Sequence, residues 1–282
     1  MKFNKIRILK FSTIIVISIM SILGCKKEDT TFPIEDGLIP FTAAQKNLAD
    51  KVISCFENNT PTIQYAYIEN LNDGRGYTAG KAGFTTANGD LLEVVKKYSI
   101  LNPQNSLYKF IPILETLADN EDSNVAELTN LPTEWLANSN NPKFIEAQNY
   151  VADFIYYEPA VEACKDNGLK MPISLLCLYD CCIQHGDGDD PDGLYAIIDR
   201  TTQAMGGSPN DGKNELDWII KFNTIRKSVL LNPNNTDTQQ EWGESIGRVD
   251  VLLKLIQVDK NYGFNQPTFQ INPFGTNHTL TL

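Results

Sequence analysis

The sequence predicts a mainly α-helical α+β domain, built as two helical lobes around a cleft with one small antiparallel β-sheet. Apolar residues recur at helical spacing through most of the chain after residue 142, which indicates amphipathic helices. Aromatic, β-branched and glycine residues are instead concentrated at positions 63–86, which indicates short strands. The 282 residues are 42% hydrophobic and 21% charged, which is enough apolar surface for one large domain or two small lobes.

The N-terminus has the pattern of an export signal. Four basic residues precede a 13-residue apolar run from Phe11 to Leu23 that is too short to span a membrane. The run ends in Leu23-Gly24-Cys25, which resembles the lipobox of bacterial lipoproteins. We therefore expect a signal peptide at 1–24, a lipid-anchored linker at 25–40 with Cys25 lipidated, and a catalytic domain at 41–282. The expected location is the outer membrane or cell surface, with a secreted extracellular protein as the alternative.

The first half of the domain is predicted to contain two helices separated by a β-rich segment. Thr42 and Gln45 have the spacing of a capping box, and the helix that follows should end at the stop signal of residues 58–61. Strands are predicted at 63–70, 76–78 and 82–86 around the turn at 72–74. Asp90 is expected to cap the next helix.

The second half is predicted to be helical. Pro142 is tolerated in the first turn of a long amphipathic helix, and we expect the segment 142–168 to be a spine between the two lobes. Further helices are predicted at 172–185, 191–206, 213–231 and 239–258. A cleft between the lobes is the expected place for a ligand.

The charge of the chain argues against nucleic acid as a partner. Removing residues 1–24 deletes four of the 24 Lys and Arg and no acid, so 20 basic residues face 35 acidic ones, a net charge near −15. A polycationic ligand would be attracted, although solubility alone could account for the excess. We expect a monomer that contacts the membrane only through its N-terminal anchor.

The cysteines and histidines give little support to a metal site. The mature chain has six cysteines without a C-x-x-C pair, and its only histidines are His185 and His278. We expect mostly core thiols with one disulfide at most. The acidic run 187–193 does not match a calcium loop, because Pro191 occupies a ligand position and Ile198 stands where the bidentate Glu belongs. We predict no metal and no cofactor.

Two carboxylates flank the glycine-rich hairpin, and together they have the residue types that glycosidic cleavage needs. Glu57 follows Phe56 on an apolar helix face, where desolvation would favour the protonated form that a general acid requires. Asp73 lies in a turn open to water, where it should remain ionised and act as a base. Two acids at this spacing are, however, commonly only a helix-end residue and a turn residue. The spacing alone therefore does not show whether Glu57 and Asp73 are catalytic.

A longer pattern around these acids carries a resemblance to a known family. The pattern comprises Glu57-Asn58, QYAYIE at 64–69, DGRGYT at 73–78, GFT at 83–85 and GDLLE at 89–93, and it continues in FIEAQNYVADFIYYEP, LYDCCIQHGDGDDP, FNTIRKSVL and IGRVDVL. Over about residues 41–270 the chain resembles the bacterial chitosanases of glycoside hydrolase family 46. The resemblance implies a lysozyme-like fold and inverting endo-hydrolysis of β-1,4 links in chitosan, the expected partner.

The resemblance also implies roles for individual residues. Glu57 matches the general acid, Asp73 the general base, and Thr78 the residue that holds the nucleophilic water. The positions that resemble substrate-contacting ones are Tyr67, Glu69, Arg75, Asp90 and His185. A buried charge network linked to the acid is implied for Asp180, Arg226 and Arg248. Each could instead be an ordinary strand, core, helix-capping or surface ion-pair residue.

The sequence departs from the family pattern in two places, and two other functions are open. The segment between Glu57 and Asp73 is shorter than in some members, and Ala79 stands where a glycine is often found. One alternative is a muramidase-like cell-wall hydrolase, although peptidoglycan lacks the free amines that Asp90 would bind. Another is a non-catalytic surface lipoprotein that captures glycans. Cell-wall turbidity assays and turnover measurements on chitosan would separate the three.

Overall fold

The fold is described by a computed structural model that covers residues 40–282. The predicted signal peptide, the lipidated Cys25 and nearly all of the linker lie outside the described residues. Within residues 40–282, no helix is both long and apolar enough to cross a lipid bilayer. The predicted fold class, mainly helical with a small antiparallel sheet, is confirmed.

Helices account for most of the described chain. The α-helices are α1 (Ala43–Asn58), α2 (Asp90–Leu101), α3 (Ile111–Asp119), α4 (Leu131–Asn138), α5 (Pro142–Ala152), α6 (Glu158–Asn167), α7 (Pro172–His185), α8 (Leu194–Met205), α9 (Glu215–Leu231), α10 (Gln239–Glu244) and α11 (Ile246–Gln257). A π-helical turn, Asp153–Tyr157, joins α5 to α6. Short 3₁₀ turns lie at Tyr108–Phe110, Ala126–Leu128, Pro209–Asp211 and Thr236–Thr238.

Five short strands form two antiparallel sheets. The first sheet has the order β1 (Ile68–Asn70), β2 (Tyr77–Ala79) and β3 (Phe84–Thr85), with Glu69 opposite Thr78 and Thr78 opposite Thr85. The second sheet pairs β4 (Thr268–Ile271) with β5 (His278–Thr281). This C-terminal hairpin was not predicted from the sequence, whereas the first sheet was.

Several predicted boundaries are confirmed and others are corrected. The capping box of Thr42 and Gln45 begins α1, which ends at Asn58 as expected. Asp90 is the first residue of α2, not its cap, since Gly89 holds the cap position. The single helix predicted at 239–258 is two helices, α10 and α11, which separate at Ser245. The described cysteines are all buried and free, so no disulfide forms among residues 40–282.

The buried apolar side chains form two separate clusters, which correspond to two lobes. One cluster contains α1 together with the helices after residue 160 and the C-terminal hairpin, and we call it the α1 lobe. The other contains the first sheet and α2 to α5, and we call it the β-lobe. Tyr156, on the π-helical turn, packs against both clusters. The segment from α5 to α6 is therefore the predicted spine between the lobes.

The C-terminal hairpin fixes the end of α1. The C-cap residue Asn59 adopts a left-handed conformation with φ of 51°, and its side-chain oxygen lies 2.9 Å from Nε2 of His278. Gly247, at the start of α11, lies against the carbonyl of Pro273, where an added Cβ would come within 1.8 Å of the oxygen. Only glycine allows this approach, so the hairpin can pack between α11 and the end of α1.

Candidate active site

Glu57 lies on the last turn of α1 and forms an ion pair with a residue from the opposite end of the chain. Its Oε1 accepts a hydrogen bond of 2.7 Å from Nη2 of Arg248 on α11. The guanidinium also lies over the ring of Phe56, at 5.4 Å from the centroid. The ion pair with Arg248 uses Oε1 and not Oε2 of Glu57, and the Glu57 side chain is 40% exposed.

Arg248 is itself held by a buried carboxylate, as the resemblance implied. Asp180 on α7 is fully buried and accepts from Nε and Nη2 of Arg248 at 3.1 and 2.7 Å. Its other oxygen accepts from Nη1 of Arg226 at 2.6 Å, and Nη2 of Arg226 donates to Gln184 at 2.7 Å. The predicted network is therefore continuous from Arg226 to Glu57, and Gln184 is a member that sequence reasoning missed.

The charges within this network stabilise one another. Burial by itself raises the pKa of Asp180, but the charges of Arg226 and Arg248 outweigh it and hold that pKa below its ordinary value. Burial lowers the pKa of Arg248, whereas Asp180 and Glu57 raise it, with a net rise. Asp180 therefore stays ionised and compensates one of the two guanidinium charges, which limits how strongly Arg248 acts on Glu57.

The surroundings of Glu57 differ from those expected from its neighbours in the sequence. We expected an apolar site that would keep the carboxyl protonated, but the side chain is exposed and faces a guanidinium. Phe56 is buried while Glu57, one residue further along the helix, points away from the core. The apolar stripe of α1 thus ends at Phe56, and desolvation of Glu57 requires something to fill the cleft.

Asp73 lies in the turn between β1 and β2, on the β-lobe. Its Oδ2 accepts a hydrogen bond of 2.8 Å from Nε of Arg75 and a second bond from Nη2, while Oδ1 accepts from the Arg75 backbone amide at 3.1 Å. These hydrogen bonds hold the pKa of Asp73 below its ordinary value. The turn therefore presents an ionised carboxylate, as the sequence predicted, with Arg75 as its direct partner.

Thr78, in the central strand β2, has a buried hydroxyl with nothing to bind. Its Oγ1 lacks a hydrogen-bond partner within residues 40–282, although the residue is only 7% exposed. A buried hydroxyl without a partner is unfavourable by about 1–3 kcal/mol, so such groups usually bind a water or a ligand. This hydroxyl can donate to a water or accept from one.

Tyr67 and Glu69 form a second polar pair on the sheet. The Tyr67 hydroxyl donates to Oε2 of Glu69 at 3.1 Å, and both side chains are exposed. Burial and the charge of Glu69 raise the pKa of Tyr67, so the phenol remains protonated. Because Glu69 lies opposite Thr78 in the β1–β2 register, the pair belongs to the same sheet as the unpartnered hydroxyl.

Asp90 begins α2 with one oxygen occupied and the other available. Its Oδ1 accepts from the Thr85 amide at 2.6 Å and from the Leu91 amide at 3.0 Å. The structure records no hydrogen-bond partner for Oδ2 within residues 40–282. Burial raises the pKa of Asp90 to about 6, against the opposing effect of these amide bonds. Asp90 is thus partly a structural residue and partly a free acceptor.

His185 ends α7 and presents one unpartnered ring nitrogen. Its Nδ1 lies 2.9 Å from the carbonyl of Asp192, and its ring packs edge-on against Trp242 with centroids 4.8 Å apart. Burial and the charges of Arg226 and Arg248 lower the pKa of His185 well below its ordinary value, so the ring is neutral. Since a carbonyl only accepts, Nδ1 carries the proton, and the buried Nε2 is an acceptor without a partner in the described chain.

Tyr156 is a further residue of the site that sequence reasoning missed. Burial raises its pKa, with added effects from the charges of Asp90 and Glu57, while Arg75 opposes them. The ring therefore lies within electrostatic reach of groups from both lobes. Helical periodicity could not identify it, because the π-helical turn inserts an extra residue and rotates the side chains that follow.

The predicted residues thus fall into two sets, one on each lobe. The α1 lobe supplies Glu57, its charge network and His185, and the β-lobe supplies the remainder: Tyr67, Glu69, Asp73, Arg75, Thr78 and Asp90. No hydrogen bond or ion pair among the described residues joins Glu57 to Asp73. Two carboxyl groups on different lobes, one on the same hairpin as an unpartnered hydroxyl, can hold a water and a sugar oxygen at different positions.

Known proteins resemble this chain over most of its length. Residues 51–268 match glycosyl hydrolase family 46. A chitosanase from Bacillus subtilis (strain 168) is 48% identical over 223 residues, which cover 79% of this chain and 80% of that protein.

Two solved structures share the fold. A mutant chitosanase from Bacillus subtilis MY002 complexed with 6 GlcN has a TM-score of 0.76 and 43% identity, and the match covers 86% of this chain and all of that one. A family 46 chitosanase from Gynuella sunshinyii in complex with chitotetraose has a TM-score of 0.76 and 48% identity, with the same coverage. The match extends through both lobes, and the chain belongs to glycosyl hydrolase family 46.

Proposed function

We propose that the protein is an inverting endo-chitosanase that hydrolyses β-1,4 links between glucosamine residues. Family membership supports glycoside hydrolysis, and the related chitosanases support chitosan as the substrate. The observation that carries the mechanism is the position of Glu57 and Asp73 on opposite lobes, with the unpartnered hydroxyl of Thr78 on the same lobe as Asp73.

Glu57 acts as the general acid in this proposal. Because Arg248 donates to Oε1, the carboxyl can carry its proton on Oε2 without losing that hydrogen bond. Asp180 offsets the charge of Arg248, and the guanidinium orients Glu57 through its hydrogen bond to Oε1. A bound sugar chain would exclude water from the exposed carboxyl. Oε2 then gives its proton to the departing glycosidic oxygen.

Asp73 acts as the general base. Arg75 keeps it ionised, and its carboxylate takes a proton from a water that Thr78 orients through its free hydroxyl. The water attacks the anomeric carbon from the face opposite the leaving group, so the product has inverted configuration. This geometry requires roughly 6.5–9.5 Å between the two carboxyl groups.

Substrate recognition follows from charge. The polymer carries one ammonium group per glucosamine, and the free Oδ2 of Asp90 and the carboxylate of Glu69 are matching acceptors on the β-lobe. His185, with its neutral Nε2, would accept from a sugar hydroxyl. The acidic excess of the chain would add long-range attraction for the polycation. The comparisons do not favour the muramidase-like or the non-catalytic alternative.

The mechanism is tested by Glu57→Gln and Asp73→Asn. We expect kcat on chitosan oligomers to fall by roughly 10²–10⁴-fold in each, with a much smaller change in KM, as for groups that act mainly in the transition state. Proton NMR of the wild-type reaction should show the α-anomer first. Near-normal turnover of either variant removes that residue from the mechanism, and a β-anomer rules out inversion. Lys109→Met is the control, because its ion pair with Glu134 lies on the surface of the β-lobe.

The proposed location is the bacterial surface, with Cys25 as the lipid anchor. The support is the sequence pattern at residues 1–25 alone. Partition of the wild-type protein into the detergent phase of Triton X-114, and loss of this partition in Cys25→Ser, would test the anchor. Recovery of the wild-type protein in the aqueous phase would favour the secreted alternative.

A further inference from the structure

A second buried charge cluster lies between the lobes, apart from the network that holds Glu57. Asp50, on α1, accepts hydrogen bonds from Nζ of Lys46 at 2.9 Å, from Nζ of Lys81 at 2.8 Å and from the Tyr179 hydroxyl at 3.0 Å. Lys46 also pairs with Asp153 on the π-helical turn at 2.7 Å. Two lysines and two aspartates therefore neutralise one another, and the mechanism described above uses none of them.

The bond between Lys81 and Asp50 crosses from one lobe to the other. Lys81 follows β2 on the β-lobe, whereas Asp50 belongs to the helix whose apolar face lies in the core of the α1 lobe. The side chains are only 6% and 8% exposed, so water does not screen the pair. The lobes have separate buried cores that Tyr156 bridges, and this polar contact is a further specific link between them.

On the β-lobe, Lys81 is held rigidly. Its backbone amide donates to Oε1 of Gln148 on α5 at 3.1 Å, and its Nζ donates to Asn149 at 3.0 Å. The preceding Gly80 has φ of +71°, and a Cβ there would lie 2.4 Å from the Gln148 oxygen. Gln148 in turn donates to the carbonyl of Tyr65 at 3.0 Å. The turn that presents Lys81 is thus fixed on the helix beneath it.

On the α1 lobe, Asp50 shares a rigid element with the proposed acid. It precedes Glu57 by seven residues, or two helical turns, so the two side chains lie on nearly the same face of α1, about 10.5 Å apart along the axis. On the other lobe, Lys81 lies three residues after Thr78. One ion pair therefore connects the helix that carries the acid to the strand that carries the proposed water-binding hydroxyl.

We propose that Lys81 is a positioning residue that, through its contact with Asp50, sets the separation between Glu57 on one lobe and Asp73 with Thr78 on the other. This inference rests on the proposed function, since the separation matters only if those residues divide the chemistry. The contact acts on the transition state, where the acid and the bound water must be in place together. A displacement of about 1 Å is enough to lower turnover by roughly 100-fold.

The test compares Lys81→Met with Lys46→Met. Both remove one positive charge from the same cluster, but Lys46 does not contact the β-lobe hairpin. We expect Lys81→Met to lower kcat on a glucosamine oligomer by about 10- to 100-fold with KM changed by less than about threefold. Lys46→Met should keep kcat within about threefold of wild type, even if its melting temperature falls as far as that of Lys81→Met. Lys81→Arg keeps the charge and the reach, and it should recover most of kcat.

Each result has a defined consequence. A folded Lys81→Met enzyme with normal kcat overturns the positioning role, and so does an equal loss of kcat in Lys46→Met, which would attribute the loss to destabilisation alone. If Lys81→Met does not fold, Asp50→Asn is measured in the same way, and normal kcat in that folded variant overturns the proposal. Normal turnover of Glu57→Gln or Asp73→Asn, run in parallel, refutes the proposed function instead.

Discussion

Asp180→Asn removes a carboxylate that is bonded to two buried guanidinium groups. Asp180 is fully buried and accepts from Arg226 at 2.6 Å and from Arg248 at 2.7 Å. The amide has the same size but no charge, and its NH₂ group would point a donor at one of the guanidinium groups. The substitution therefore leaves two cations in the core, and among residues 40–282 Glu57 is the only carboxylate still bonded to Arg248.

The magnitude follows from the burial of the pair. Removing one partner of a buried ion pair destabilises a protein by about 3–5 kcal/mol. That is a large part of the roughly 5–15 kcal/mol by which a domain is stable. For a domain of this size each kcal/mol lowers the melting temperature by about 2–4 °C, which gives a fall of about 6–20 °C. Asp250→Asn is the control, because its ion pair with Lys227 is exposed and should contribute about 1 kcal/mol or less.

The difference in stability between wild type and Asp180→Asn should decrease as the pH falls. The folded pKa of Asp180 is below its ordinary value, so its contribution to stability is complete above about pH 4 and disappears as the pH falls through the folded pKa. Urea unfolding at neutral pH should show the full difference between wild type and Asp180→Asn. Below about pH 4 the difference should shrink.

Two outcomes would refute this reasoning. A neutral-pH stability within about 1 kcal/mol of wild type would show that the network tolerates an uncompensated cation, against the expected desolvation penalty. A constant difference from neutral to strongly acid pH would show that the ionisation of Asp180 is not its source. The control variant distinguishes either outcome from a general loss of surface charge.

Three further predictions concern two residues of the β-lobe and the electrostatic attraction between the acidic protein and its substrate. Thr78→Val keeps the shape of the side chain but removes the hydroxyl. Steady-state kinetics should show kcat lowered by about 10- to 100-fold with KM little changed. An unchanged kcat would exclude a water-holding role for Thr78. Because the pKa of Asp90 is raised to about 6, KM for a glucosamine oligomer should rise below that pH as the carboxylate protonates, and Asp90→Asn should lack this limb. KM should also rise with salt concentration. Screening shortens the reach of the protein's electrostatic field from about 8 Å at 0.15 M to about 3 Å at 1 M. A KM that does not change with salt would contradict the electrostatic attraction of the substrate.

Local structure was predictable where the signal lies within a few residues. Thr42 and Gln45 satisfy each other's backbone amides across three residues, so the start of α1 could be read directly. The spacing of apolar residues likewise predicted α7 and α9 closely. Periodicity failed at the π-helical turn, since the large apolar side chain of Phe154, within the long helix predicted from Pro142, is exposed. It also missed the C-terminal hairpin, whose short strands depend on packing against α1 and α11.

For the candidate site, residue types and their order along the chain were enough to name most of the members. The pattern from Glu57 to Asp90 named the two acids, the hydroxyl and their neighbours as candidates before any contact was known. It did not reveal that Glu57 is exposed, nor that Tyr156 and Gln184 belong to the site. The direction of a side chain at a helix end depends on what packs beside it, and that information is not local.

The sequence by itself determined the fold class and the family, and it named the candidate side chains of the site. Only the tertiary structure decided which charges meet: Arg248 binds Glu57 across 191 positions, and Lys81 binds Asp50 across 31. The chain holds 35 acidic and 24 basic residues, so sequence alone leaves very many pairings open. Helix packing selects among them, because a buried charge is tolerated only where its partner is brought within hydrogen-bond distance.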